Sequence, residues 1–202
     1  MSYLIETIKL KNNQILKIYQ DSDNESPRTA WDNLGKMICF HKRYDLGDKH
    51  KINHNDFESF EDMAEKITDG GEYLPLFLYD HGNITINTSP FSCRWDSGQV
   101  GFIYISKQDI IKEYGNDNKK TRQTVLKVLE SEVKTYDQYL RGDIYGFELI
   151  EIETCSLGHE HENEIDSCWG FYGSDHETSG LFEHAGIKKQ DVAWHNSFLI
   201  VQ

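Results

Sequence analysis

Prolines are scarce, three in 202 residues, and no stretch of about 18 apolar residues occurs. The first scarcity leaves no Pro-rich linker, and the second excludes a membrane-crossing helix. Cation is missing from one whole region: between Asp143 and His184 there are eleven Asp and Glu but no Lys or Arg. With a formal net charge of -13, direct binding to nucleic-acid phosphates or to anionic membranes is disfavoured. A nucleophile elbow, a phosphate loop and a dinucleotide fingerprint are all absent, which removes the common signatures of serine hydrolases, NTPases and NAD enzymes. Residues 1–13 alternate charge into the apolar run and carry no small-residue cleavage site, so a signal peptide is not expected. The expected location is therefore the cytoplasm, with Cys39, Cys93, Cys155 and Cys168 as thiols.

What is present suffices for a packed core: 38% of residues are hydrophobic and 12% aromatic. The expected fold is a single α+β domain over residues 1–202, with residues 143–202 as a candidate sub-lobe. It has a mostly antiparallel sheet, an N-terminal hairpin and three to four packed helices. Leu4–Leu10 and Gln14–Gln20 flank the turn Lys11-Asn12-Asn13 and form the hairpin. Ser26-Pro27 is a helix start running to Leu34, and Lys36–His41 is strand-like. Phe60, Met63, Ala64 and Ile67 recur at helical spacing within Glu58–Thr68. Tyr73–Ser106 is the densest run of strand formers and reads as the centre of the sheet, Leu74–Tyr79, Ile84–Thr88 and Val100–Ile105, with a loop from Ser89 to Gln99. Lys107–Tyr114 and Lys119–Leu140 are helical, the second through Val125, Leu129, Val133, Tyr136 and Leu140. Ile144–Ile152 is a half-buried strand, Thr154–Ile165 a polar loop, Cys168–Tyr172 a short strand, Glu177–His184 a short helix and Val192–Val201 a closing strand.

Three constellations carry chemistry. In the central loop, Cys93, Arg94, Trp95, Asp96 and Gln99 offer a nucleophile and polar partners, but no neighbour in sequence supplies a base. The bland alternative makes Asp96-Ser97-Gly98 a turn and buries Trp95. Cys155, His159, His161 and Cys168 have the donor types zinc requires, although Cys-x3-His-x-His-x6-Cys is the spacing of no common zinc module. Ser167-Cys168-Trp169 with His195-Asn196 echoes papain-like proteases over three residues only and lacks the rest of that signature. The third constellation is electrostatic. Glu148, Glu151, Glu153, Glu160, Glu162, Glu164 and Asp166 lie within nineteen residues that hold no Lys or Arg. Carboxylates at such density either keep a face solvated or imitate the phosphates of a nucleic acid toward a basic partner.

Ser89–Ile105, Glu132–Gly146 and Asp166–Gly173 resemble a family of small acidic proteins carried by phages and other mobile elements. The likeness spans about residues 73–173, and its mark is Trp95-Asp96-Ser97-Gly98-Gln99-Val100-Gly101. No catalytic residue or cofactor comes with the resemblance. What it implies is a setting, the host cell cytoplasm, in which mobile elements deploy anti-CRISPR and anti-restriction proteins. The expected function is non-enzymatic inhibition of a host defence nuclease by protein–protein contact through the acidic residues, without direct nucleic-acid or membrane contact; a homo-oligomer is compatible with it. Two alternatives stand beside it: a small hydrolase using zinc at Cys155, His159, His161 and Cys168 or a thiol at Cys93, and a phage structural or assembly component.

Overall fold

The computed structural model describes residues 2–93 and 95–188. The expected closing strand at Val192–Val201, the His195-Asn196 pair and Arg94 of the central loop lie outside the described residues. The class is α+β with antiparallel sheets, but the strands are dealt into two four-stranded sheets, one in each of two compact units. One unit joins the chain's opening residues, up to Asn24, to the described residues from Gly142 onward; the other is Glu25–Arg141.

In the first unit β1 (Tyr3–Lys9) and β2 (Gln14–Gln20) form the N-terminal hairpin, closed at Asn12 and Asn13, whose φ of 62° and 57° suit asparagine in a tight turn. β7 (Ile144–Thr154) pairs with β2 and then turns back as β8 (Glu160–Tyr172), giving the order β1-β2-β7-β8. Leu16, Ile18, Phe147 and Phe171 share one face and pack with Leu181 of α5 (Leu181–His184). The region expected to be a polar loop, Thr154–Ile165, is instead largely hairpin. β8 is an edge strand exposed on both faces from Glu160 to Ser167, so its residues never alternate in polarity. Backbone pairing to β7, a signal invisible in side-chain pattern, defines it.

The second unit carries the order β3-β6-β4-β5, built from β3 (Lys36–Cys39), β4 (Glu72–His81), β5 (Asn83–Asn87) and β6 (Ser97–Ile105). The helices are α1 (Pro27–Ala30), α2 (Phe60–Thr68), α3 (Lys107–Tyr114) and α4 (Lys119–Leu140). The stripe Val125, Leu129, Val133 and Tyr136 of α4 joins Leu76, Leu78 and Ile103 in one core cluster, while Met63 and Ala64 of α2 join Ile38 and Phe102 in another. Ser26 caps α1 as its Ser-Pro pair predicts, but the helix stops at Ala30. Arg28 leaves that turn for the interior, donating to Asp48, to Glu132 and to the Gly35 carbonyl. Pro75 sits in β4 where β5 does not reach, so its missing N–H costs no ladder bond. No helix among the described residues is long and apolar enough to cross a membrane.

Candidate functional site

The β7–β8 hairpin holds all seven carboxylates singled out in the sequence, and the pairing register decides how they are displayed. Residues directly opposite in an antiparallel pair share a face. Glu164 is opposite Ile150, Glu162 opposite Ile152 and Glu160 opposite Thr154; Glu148, two residues before Ile150, points the same way. Glu151 and Glu153 point to the other face. Sequence parity alone would place Asp166 with Glu160, Glu162 and Glu164. A β-bulge intervenes: Asp166 is opposite Leu149 and Glu164 opposite Ile150, leaving Ile165 as the extra residue. The bulge sends Asp166 to the core-side face, with Glu151 and Glu153.

Two β2 residues, neither singled out in the sequence, complete the four-carboxylate face. Lys17 Nζ lies 2.5 Å from Glu162 Oε2, and the Tyr19 hydroxyl donates to Glu148 Oε2 at 2.7 Å. Burial, the hydrogen bond to Glu148 and the charges of Glu148, Glu162 and Glu164 together push the Tyr19 phenol up to about 12. Tyr19 thus responds both to its burial and to the negative potential there. Its ring lies 5.6 Å from that of Trp169, which covers Gly146 so closely that a Cβ on Gly146 would come within 2.4 Å of two indole carbons. Glycine is required at 146 for that approach. The partnership was hidden in the sequence because β2 and β8 lie more than 120 residues apart.

The metal-donor set is not brought together. His161 is opposite Glu153 and Cys168 opposite Phe147, six β7 positions apart, or about 20 Å at the rise of an antiparallel strand. Cys168 packs against the core cluster of the first unit, while Cys155 begins the hairpin loop, its amide donating to the His159 carbonyl. Among the described residues no group of three or more His, Cys, Asp or Glu is placed to hold a metal ion.

The motif loop of the second unit departs from its expected form in two ways. Trp95 is 96% exposed rather than buried, because it lies on the loop surface ahead of β6. Ser97 and Gly98 belong to β6, opposite Tyr79 and Leu78, rather than to a turn. Asp96 is the hub: its Oδ2 accepts from Cys93 Sγ at 3.6 Å and lies 3.4 Å from His81 Nδ1. An imidazole is therefore near Cys93 after all, brought by the β4–β5 hairpin. Both groups contact the same carboxylate oxygen, and among the described residues no hydrogen bond joins the thiol to the imidazole, whereas a base that activates a thiol must bond to it directly. The arrangement ties the loop to β4, as does the Asp80 amide donating to the Asp96 carbonyl at 2.9 Å. Gln99 is exposed and donates to the Gly101 carbonyl at 3.3 Å. Gly101, the last residue of the motif, touches β3: a Cβ there would lie 1.9 Å from the Ile38 carbonyl oxygen.

No protein-family model, curated protein or solved structure matches the chain.

Proposed function

We propose that the protein is a non-enzymatic inhibitor of a host nucleic-acid-directed defence nuclease, of the anti-CRISPR or anti-restriction kind, which it engages through the β7–β8 hairpin. The observation that carries this is the two-faced acidic display of the hairpin, exposed along β8 and half-buried at Glu148 and Glu151 of β7. Its seven carboxylates fall within about 20 Å of strand length, one per roughly 3 Å. A nucleic-acid strand presents one phosphate per about 3.4 Å of axis, and a duplex one per about 1.7 Å. The hairpin therefore has the axial charge density of a single strand and half that of a duplex. The partner surface it suits is a basic groove for one strand, such as the channel of a guide or a displaced strand.

Binding of this kind is fast and falls steeply with salt. The test replaces Glu160, Glu162 and Glu164 by lysine and measures inhibition of cleavage by a panel of CRISPR and restriction nucleases, with single- and double-stranded DNA as competitors. The expected result is inhibition by the wild-type protein that the triple variant loses and that single-stranded DNA relieves better than duplex does. Equal inhibition by wild type and variant would reject the acidic hairpin as the working surface. A hydrolase acting through Cys93 is disfavoured because no hydrogen bond joins its thiol to His81 among the described residues, and one acting through zinc by the separation of His161 from Cys168.

A further inference from the structure

β8 carries a second bulge, which decides where one large aromatic residue goes. Phe171 is opposite Tyr145 and Trp169 opposite Gly146, so Gly170, at φ 86°, is the unpaired residue between them. By strict alternation Trp169 would share the face of Phe171, which packs in the core cluster of the first unit. The bulge moves it to the other face, that of Glu148, Glu160, Glu162 and Glu164. There Trp169 is 40% exposed, its indole lying over Gly146 and its ring 5.6 Å from that of Tyr19.

The carboxylate beside this aromatic pair has no counter-ion. Glu148 lies two residues beyond Gly146 on the same face, about 7 Å along the strand. Its Oε2 accepts from the Tyr19 hydroxyl at 2.7 Å, which fixes the half-buried carboxylate next to the rings. Among the described residues no cation pairs with Glu148, and its Oε1 accepts no hydrogen bond. Lys17 is opposite Glu148 in register, yet its ammonium reaches Glu162 instead.

The face of an indole attracts a cation, and a carboxylate with a free oxygen adds a charge-assisted hydrogen bond. Together they distinguish one cation from another. An ammonium is a compact point charge, whereas a guanidinium is a flat fork that stacks on a ring while its edge donates to a carboxylate.

We propose that Trp169, Tyr19 and Glu148 form a seat for one arginine side chain of the partner, its guanidinium stacked on the indole and donating to Glu148 Oε1. The seat rests on the reading of the hairpin as the partner-binding surface, and it names the partner's chemistry. Arginine is the usual residue where nucleic-acid phosphates are recognised, so a basic strand groove has one to offer. Glu160, Glu162 and Glu164 then supply attraction to any cation, and the seat supplies the preference for arginine over lysine.

Calorimetric titration of the full chain with capped hexa-arginine and hexalysine peptides, which carry equal charge, tests this. The arginine peptide should bind about 2- to 5-fold more tightly and shift the Trp169 indole N–H resonance, assigned with Trp169→Leu. Trp169→Leu, shown folded by circular dichroism, should abolish the preference while both peptides still bind through charge. Glu148→Gln, which leaves the rings in place, should narrow it. Equal affinities in the wild type overturn the proposal, as does a preference that either variant leaves unchanged. Against the nuclease panel, Trp169→Leu should weaken inhibition. Inhibition that survives Trp169→Leu but is lost on replacing Glu160, Glu162 and Glu164 by lysine overturns the seat and leaves the acidic hairpin standing; inhibition indifferent to both overturns the two together.

Discussion

The change in Tyr19 ionisation on removal of a neighbouring carboxylate measures the field on the acidic face. The Tyr19 hydroxyl is 2.7 Å from Glu148, and its phenol is raised from 10.0 to about 12, burial being the largest cause and the neighbouring carboxylates adding to it. Two unit charges about 4 Å apart interact by about 1 kcal/mol in water and about 4 kcal/mol near a protein surface, and one pKa unit corresponds to about 1.4 kcal/mol. Glu148→Gln keeps a hydrogen-bonding amide beside the phenol but removes its nearest charge, so the pKa should fall by about 1 unit or more. Glu162 and Glu164 lie farther off, and Glu162 shares its charge with Lys17. Their replacement by glutamine should each lower the value by a few tenths, and added salt should weaken these distant contributions more than that of Glu148. The assay is a carbon NMR titration of tyrosine labelled at Cζ, with Tyr19→Phe assigning the resonance. Because the folded pKa lies above the unfolded one, the associated stability is fully present below about pH 10 and is lost as pH climbs toward 12. A Tyr19 pKa near 10 in the wild type, or one that Glu148→Gln leaves in place, would refute the summed negative potential assigned to this face.

Other outcomes are as definite. Arg28→Ala strands the Asp48 and Glu132 carboxylates and should cost about 3–5 kcal/mol in urea unfolding, with no change in the charge of the hairpin. Gly101→Ala drives a methyl into the Ile38 carbonyl, so it should separate β3 from β6 and raise amide exchange at Met37 and Ile38, read by hydrogen–deuterium exchange. Iodoacetamide at pH 8 should label the half-buried Cys93 and leave Cys39 untouched in the folded protein, because burial pushes the Cys39 thiol up to about 12; labelling is read by peptide mass spectrometry.

Periodicity made α2 and α4 legible, since each buries one face against a core and hides or shows its residues in step, and the turn composition Lys11-Asn12-Asn13 marked the N-terminal hairpin. The same rule failed at Glu160–Ser167, where neither face is buried and polarity cannot mark the strand. It also failed at Trp95, where a large aromatic residue reads as core whatever its surroundings. The seven carboxylates were visible as composition, but their division between faces was not, because one unpaired residue, Ile165, resets the parity. Lys17 and Tyr19 entered the site, and His81 came beside Asp96, through contacts formed only when distant strands pair.

The Ile165 bulge also separates how much charge the hairpin carries from how that charge is shaped. Deleting Ile165, which is 48% exposed and so removes little core, leaves every neighbouring residue opposite its present partner and all seven carboxylates on their present faces. What the deletion removes is the local bend and extra twist of β8. Straightened, the strand carries an unchanged electrostatic content along a different line. The shortened protein would therefore distinguish a partner that senses the hairpin's total charge from one that senses its curvature.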